Sequence, residues 1–499
     1  MSYQLLETHH RRLSRFRHLE AIASWDEATM MAPQGGAERG EALATLRGYL
    51  HGQSTLPALG EWLAAASQDE RNLDPWQRAN LREMRREWRR ATALGQDLVE
   101  AMALAESRSE QAWRKLRPAN DFAGFLPLFR DVVRLKREAA QALGQELGLD
   151  PYDALMDGFE PGLRTPTISA LFARLRAFLT PLIPRAVELQ RSEPMETSQG
   201  SFSEERQRWL GTELMRRLGF DFARGRLDTS HHPFCGGVPS DVRITTRYDR
   251  ADYTKSMMSV IHETGHAKYE QNLPARWIGQ PVANPRGMSI HEGQSLFFEM
   301  QVGRSRPFTD VLASLLAQAF PDQPSRIFAP ENLFRHLTRV EPGLIRVNAD
   351  EVTYPCHIIL RFELERALIE GRLEPEDVPE AWNAAMKDLL GLSTAGNDRD
   401  GCMQDVHWPA GLFGYFPAYT LGALTAAQLF QAAQRPLPEL TLQIRRGDLA
   451  SLDDWLRTNV WSQASFLLTD DLVTRATGKS LDTVSFEQHL EARYLRREQ

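Results

Sequence analysis

Three cysteines in 499 residues, Cys235, Cys356 and Cys402, are too few and too scattered for a disulfide framework. One would stay unpaired in any arrangement, so a reducing compartment is expected. They also lack the paired spacing of a structural zinc site, and their expected role is that of small buried hydrophobes. A basic excess is missing too. Lys+Arg 59 against Asp+Glu 66 leaves a net charge of −7, which argues against nucleic acid as a partner. No apolar run approaches the roughly 20 residues of a membrane span, so no membrane is expected. The opening segment, MSYQLLETHHRRLSRFRHLE, has no apolar signal-peptide core, and a cytoplasmic protein is expected. Internal repeats and long low-complexity linkers are absent. Pro/Ser-rich pieces at 192–203 and 321–330 read as surface loops.

Strand signals are also sparse, and helical periodicity fills most of the chain. Ile168, Leu171, Phe172, Leu175, Phe178, Leu179 and Leu182 recur at three- and four-residue steps. Thr165 sits where an N-cap belongs and Pro166 where a first helical residue belongs. A second helix is expected over 76–98. Its Arg82, Arg85, Arg86, Arg89 and Arg90 alternate with Glu83 and Glu87, which predicts a solvated face laced with ion pairs. The clearest strand is Asp241–Tyr248, where Val242, Ile244 and Thr246 alternate with Arg243, Thr245 and Arg247. It follows the turn-rich Cys235-Gly-Gly-Val-Pro239, so a short strand or hairpin is expected there. The architecture implied is mainly α: one large helical body over 1–499 with a small sheet, and two lobes flanking a cleft.

The chemistry is concentrated in His262-Glu263-Thr264-Gly265-His266. Two histidines four apart on a helix share one face, so both can reach one ion, while Glu263 can touch a water there. Gly265 costs about 1 kcal/mol against Ala in a helix, and space close to the metal is the expected reason for it. The string alone is only moderately specific. Glu292 strengthens it, lying 26 positions after His266 in Ser289-Ile-His-Glu-Gly-Gln294 and ahead of the apolar Leu296-Phe297-Phe298. A second helix can bring that carboxylate to the ion. The resulting His₂Glu set keeps one position open, as catalytic zinc sites do. Zn²⁺ is the expected cofactor, with Co²⁺ as a substitute. Glu263 is the expected general base of a peptide hydrolase.

With these motifs in place, the chain resembles the thermostable carboxypeptidase (carboxypeptidase Taq) family of metallocarboxypeptidases, nearly end to end. Trp25-Asp-Glu-Ala-Thr-Met-Met and Pro151-Tyr-Asp-Ala-Leu with Glu160-Pro-Gly162 are similar to family segments. Six blocks then follow in order: His232-Pro233-Phe234; Asp241, Arg243 and Thr245; HETGH; His291-Glu292-Gly293-Gln294; Ile345-Arg346 with Ala349-Asp350; and Gly401 with Gln404-Asp405, His407 and Trp408. The resemblance implies removal of single residues from peptide C-termini with broad side-chain tolerance. It also implies a helical fold with a deep groove, like that of angiotensin-converting-enzyme and neurolysin relatives, and a homodimer. One departure stands out. Where a His-Gly pair is expected after a helix ending near Val460, the chain has Trp461-Ser-Gln-Ala-Ser465.

A carboxypeptidase must hold a terminal carboxylate, and the planar fork of arginine suits that task. Arg346 is the first candidate and Arg243 the second, although Arg243 could instead pair with Asp241 or Asp350. An oxyanion needs an aimed donor. Similarity to the broader peptidase group points to His407 with Tyr415, and Tyr419 is the alternative. His232 is a candidate for the subsite next to the metal, and His291 a candidate for substrate contact. Asp350 or Glu351 is the expected partner behind a ligand histidine. Two other readings stay open: a dipeptidase or oligoendopeptidase using the same metal site, and a helical binding protein without catalysis.

Overall fold

The computed structural model describes residues 1–197 and 200–496. Residues 198 and 199 of the expected loop at 192–203 therefore lie outside the described residues. The body is helical, and its helices start and stop where local chemistry directs. Asp74 and Gln77 form a reciprocal capping box, each side chain bonded to the other's backbone N–H at 2.9 Å, with Pro75 in the first turn. The helix Phe122–Leu147 ends on Gly148 in the left-handed conformation. The helix Thr165–Gln190 begins one residue earlier than its sequence suggests, with Arg164 in the cap position. The Thr165 N–H donates instead to the Asp153 carboxylate at 2.7 Å.

Two large hydrophobic cores account for most of the buried apolar surface. One gathers Phe129, Phe172, Leu175, Phe362 and Trp382 from the helices Phe122–Leu147, Thr165–Gln190, Tyr354–Ile369 and Val378–Leu390. The other gathers Leu214, Ile261, Phe297, Leu312 and Trp461. The helix Pro417–Gln434 belongs to both: Leu421 and Leu424 face the first core, Ala426 and Leu429 the second. A smaller cluster under the N-terminal helices contains Leu6, Leu59, Leu63, Leu81 and Met84.

Among the described residues the sheet has three strands: β1 (Gly225–Thr229), β2 (Cys235–Val238) and β3 (Asp241–Thr246). β2 and β3 form the expected hairpin, pairing Val238 with Asp241 and Cys235 with Ile244. Gly237 is left-handed at φ +87°, and a Cβ there would strike the Asp241 carbonyl. β1 lies on the other side of β3 and runs parallel to it. The inner face of β3 puts Val242 and Ile244 against Val260 and Ala267 of the helix that carries HETGH. No helix among the described residues is long and apolar enough to cross a membrane.

Candidate metal centre

The HETGH helix, Tyr253–Gln271, starts at Asp252, whose carboxylate accepts from the Thr254 N–H at 3.0 Å. It is buried around most of its circumference, because β3 covers one side and the second core another. A second helix, Gly287–Leu296, crosses it closely. A Cβ on Gly265 would lie 2.6 Å from both the Gln294 carbonyl oxygen and the Ser295 Cα. The glycine therefore makes room for the backbone of the neighbouring helix, not for the metal as its position suggested. The helix Pro417–Gln434 closes on the same point. A Cβ on Gly422 would lie 2.9 Å from the Glu292 Cβ. The second helix is also fixed at its start. Glu160 accepts from the Ser289 N–H at 2.6 Å and from the Thr469 hydroxyl at 3.0 Å, placing an acidic group at the helix N-terminus.

These crossings bring His262, His266 and Glu292 together. Their ligand atoms all lie within 4.8 Å of one another. Nε2 of each histidine is 3.6 Å from a different oxygen of Glu292. Two imidazole nitrogens and a carboxylate facing a common point are a donor set suited to a borderline divalent cation. The charges fit as well. Burial pushes the Glu292 carboxyl up, against the lowering influence of His262 and His291. Burial works to lower His262, but the Glu299 hydrogen bond and the surrounding carboxylates hold it at about 10. His266 is driven well below its ordinary value by burial and the neighbouring imidazoles. A cation bound here takes the place of the proton on His262, which the carboxylates otherwise favour. Burial pushes Glu263, the next residue, up to about 7.

Behind His262 stands Glu299, whose Oε2 is 2.8 Å from the ring Nδ1. Its other oxygen accepts from Arg304 at 2.8 Å. Glu299 belongs to a π-helical turn, Phe297–Gly303, that continues the helix of Glu292. Asp350 and Glu351, the expected partners, are engaged elsewhere. Asp350 accepts from Glu341, Val352 and Thr353, while Glu351 accepts from His489, Arg493 and Tyr494. His291 stacks on His266 with ring centres 4.5 Å apart and contacts Glu270 at 2.9 Å.

A second group of side chains gathers on the Glu292 side. Arg346 is buried. It gives Nε and one terminal N–H to Asp405 at 3.0 and 2.7 Å, and another N–H to the Tyr354 hydroxyl at 2.7 Å. A guanidinium has five N–H groups, so among the described residues one remains on each terminal nitrogen. Arg361 holds the other oxygen of Asp405 at 2.8 and 2.5 Å. The guanidinium of Arg346 lies over the Tyr419 ring at 5.1 Å. Tyr419 meets Nε2 of His407 at 3.2 Å and the Tyr415 ring at 5.4 Å. Burial lowers His407 to about 3, so its imidazole is neutral near pH 7. Burial, reinforced by the charge of Glu292 among others, raises Tyr354, Tyr415 and Tyr419. Arg346, Tyr354, Tyr415 and Tyr419 thus lie within electrostatic reach of the Glu292 carboxylate.

Two predicted site residues lie apart from this group. Arg243 sits on β3, doubly bonded to Asp241 at 3.0 and 2.6 Å and stacked on Trp25 at 4.4 Å. Both its fork and its flat face are thereby engaged. His232 is exposed in the loop between β1 and β2, beside His231. The residues missed from sequence are Glu299 and Tyr354. Glu299 follows Glu292 by seven positions, a same-face spacing that could have drawn notice.

A half-buried and a buried histidine with a carboxylate, an adjacent glutamate, and an arginine among tyrosines define a metallopeptidase built on helices. Comparison with known proteins gives the particular family. Residues 5–494 match the model of the carboxypeptidase Taq (M32) metallopeptidases, and the chain belongs to that family. It is 39% identical to thermostable carboxypeptidase 1 of Thermus thermophilus, over 99% of this chain and 98% of that one. Identity to carboxypeptidase 1 of Bacillus subtilis is 32%, over 97% and 96% of the two chains. Among solved structures, Trypanosoma cruzi metallocarboxypeptidase 1 superposes with a TM-score of 0.97 at 43% identity, covering 99% of both chains. The M32 carboxypeptidase of Deinococcus radiodurans gives 0.94 at 35% identity, covering 99% of this chain and 98% of that one. The chain is therefore a metallocarboxypeptidase, with the helical fold expected of one.

Proposed function

We propose that the enzyme removes single residues from unblocked peptide C-termini with broad side-chain tolerance, and that zinc is its metal, replaceable by cobalt. The supporting observation is the joint presence of an open three-ligand cluster and a buried arginine with two N–H groups left to donate. A divalent cation at His262, His266 and Glu292 supplies a Lewis acid for the scissile carbonyl and makes a water more acidic. Glu263 takes the proton of the attacking water and passes it to the leaving amine. Arg346 binds the terminal carboxylate through its outward N–H pair, while Asp405 and Tyr354 hold the fork in place. His407, neutral, and Tyr415 donate toward the developing oxyanion, with Tyr419 steering the imidazole. Arg243 holds the sheet in place beside the zinc helix. His232 serves the rim of the cleft.

We further propose that the chain acts as a single domain whose two cores flank the cleft, and that it works as a cytoplasmic homodimer on peptides. Family resemblance supports the dimer, and sedimentation velocity tests it. The catalytic reading is tested with an N-acyl dipeptide and its C-terminal amide. Hydrolysis of the acid alone, abolished by a chelator and by Glu263→Gln with metal retained, is the expected outcome. Equal cleavage of the amide would refute the role of Arg346 and favour an endopeptidase. Loss of metal from Glu263→Gln would place that residue among the ligands instead.

A further inference from the structure

A cavity of about 460 Å³ opens within the N-terminal helices, between Ser2–Thr29, Gly36–Ser54, Pro57–Gln68 and Pro75–Thr92. That volume falls within the roughly 300–1,000 Å³ of small-molecule sites. No residue lining it belongs to the metal centre. One wall is apolar, made by Leu6, Leu13, Leu50, Leu63 and Met84. The rest is polar and carries buried atoms without a hydrogen-bond partner among the described residues: His10 Nδ1, Arg86 Nε, Glu87 Oε2 and Trp88 Nε1. His10 is only 8% exposed. Such orphaned groups are costly, and buried polar atoms are normally satisfied.

The orphans define what they would accept. Trp88 offers an N–H donor, and Arg86 a second, its Nε standing 3.5 Å from an Asp157 oxygen without a hydrogen bond; Glu87 offers an acceptor. The Glu87 side chain is 28% accessible as a whole, and its nearest cation, Arg17, stands 3.7 Å from Oε2, beyond hydrogen-bond reach. The lining charges are close to balance: Arg47 pairs with Glu20 at 2.8 Å, and Arg86 and Arg90 each reach the Asp157 carboxylate at 3.5 Å. A complementary ligand is therefore close to neutral overall and carries an acceptor for the orphaned donors. It also carries a cationic donor for Glu87 and an apolar group for the leucine wall.

We propose that this cavity is a binding site for a free α-amino acid with an apolar side chain. Its carboxylate faces Arg86 and Trp88, and its ammonium faces Glu87. The choice of a free amino acid rests on the proposed carboxypeptidase activity, which releases that chemical class. The site places a product sensor in the N-terminal helices. Gly158 lines the cavity, and the ring of the next residue, Phe159, meets Tyr415 edge-on at 5.1 Å.

Calorimetric titration of L-leucine into the full zinc-loaded chain tests this, since it needs no turnover. Saturable binding is expected to survive in Glu292→Gln, to weaken by at least about tenfold in Glu87→Gln, and to weaken in Trp88→Phe. Leucinamide and N-acetyl-leucine, each lacking one charge, are expected not to displace leucine. Dileucine binding as tightly as leucine would reassign the site to short peptides and overturn the free-amino-acid proposal. No binding by the wild type would also overturn it, as would binding lost in Glu292→Gln but intact in Glu87→Gln. Should Glu87→Gln fail to fold, Trp88→Phe decides, with intact binding there refuting the site. Leucine binding without peptidase activity would refute the function and leave the site standing. Activity without leucine binding would do the reverse.

Discussion

Removing the Glu299 carboxylate isolates the contribution of a residue outside the triad of His262, His266 and Glu292. Glu299 Oε2 is 2.8 Å from His262 Nδ1, and its other oxygen holds Arg304 at 2.8 Å. In Glu299→Ala the imidazole loses the acceptor that fixes its tautomer, and Arg304 loses the one carboxylate it is hydrogen-bonded to among the described residues. Partners of ligand histidines are worth about 10- to 100-fold in metal affinity, or roughly 1.4 to 2.8 kcal/mol. The uncompensated guanidinium places the alanine variant near the upper end. Glu299→Gln keeps the shape and one acceptor but drops the charge, so about tenfold is expected. Competition against a chelator of known affinity reads both numbers, and far-UV circular dichroism confirms that the helices remain. Alanine-variant affinity within about twofold of wild type, on an intact fold, would refute the orienting role.

Gly265→Ala forces a methyl to within 2.6 Å of the Gln294 oxygen and the Ser295 Cα, so a loss of about 1–3 kcal/mol in urea unfolding is expected. An unchanged midpoint would mean that the helices do not meet there. Ala464 lies at φ +44°, a conformation that favours glycine, in the segment that departs from the family pattern. Ala464→Gly should therefore stabilise by about 1 kcal/mol, and a destabilised variant would contradict the strain. Burial lowers His10 to about 3, against an ordinary value of 6.5. Its unfolded form protonates first as pH falls. Its contribution is thus full above about pH 6.5 and is lost as pH drops through 3, on the order of a few kcal/mol. Unfolding free energies measured across that window should fall less steeply in His10→Gln than in wild type. Parallel profiles would remove His10 from the acid response.

The HETGH helix, Glu292 and β3 were legible because each signal is local: a four-residue histidine spacing, a short apolar flank, an alternation. β1 was not. Gly225-Arg-Leu-Asp-Thr229 has one large apolar residue, and its strand character comes from pairing with β3. The run Leu296-Phe297-Phe298 reads as ordinary helix, so nothing local announces the π turn that carries Glu299 to His262. The arginine-rich helix was half read. Its ion pairs exist, but Arg86 and Arg90 reach Asp157 in another element, and Glu83 is buried against Arg286. A solvated face and an inter-helix clasp share one charge pattern, and only the fold separates them. Trp461, inside the departing segment, donates to Gln294 at 2.9 Å, a contact 167 positions apart that no local rule predicts.

The glycines around Glu292 have a mechanical consequence. Gly265 meets the backbone of 294–295, and Gly422 meets Glu292 itself. The Gly265 contact is backbone against backbone and contains no rotatable side chain, so warming cannot soften it by rotamer exchange. The triad can lose its shape only when whole helices separate, and the helix Pro417–Gln434 ties that separation to both cores at once. Cation escape by protein opening should therefore be as rare as global unfolding. The amides of 262–266 and 292–295 should rank among the slowest to exchange with deuterated solvent.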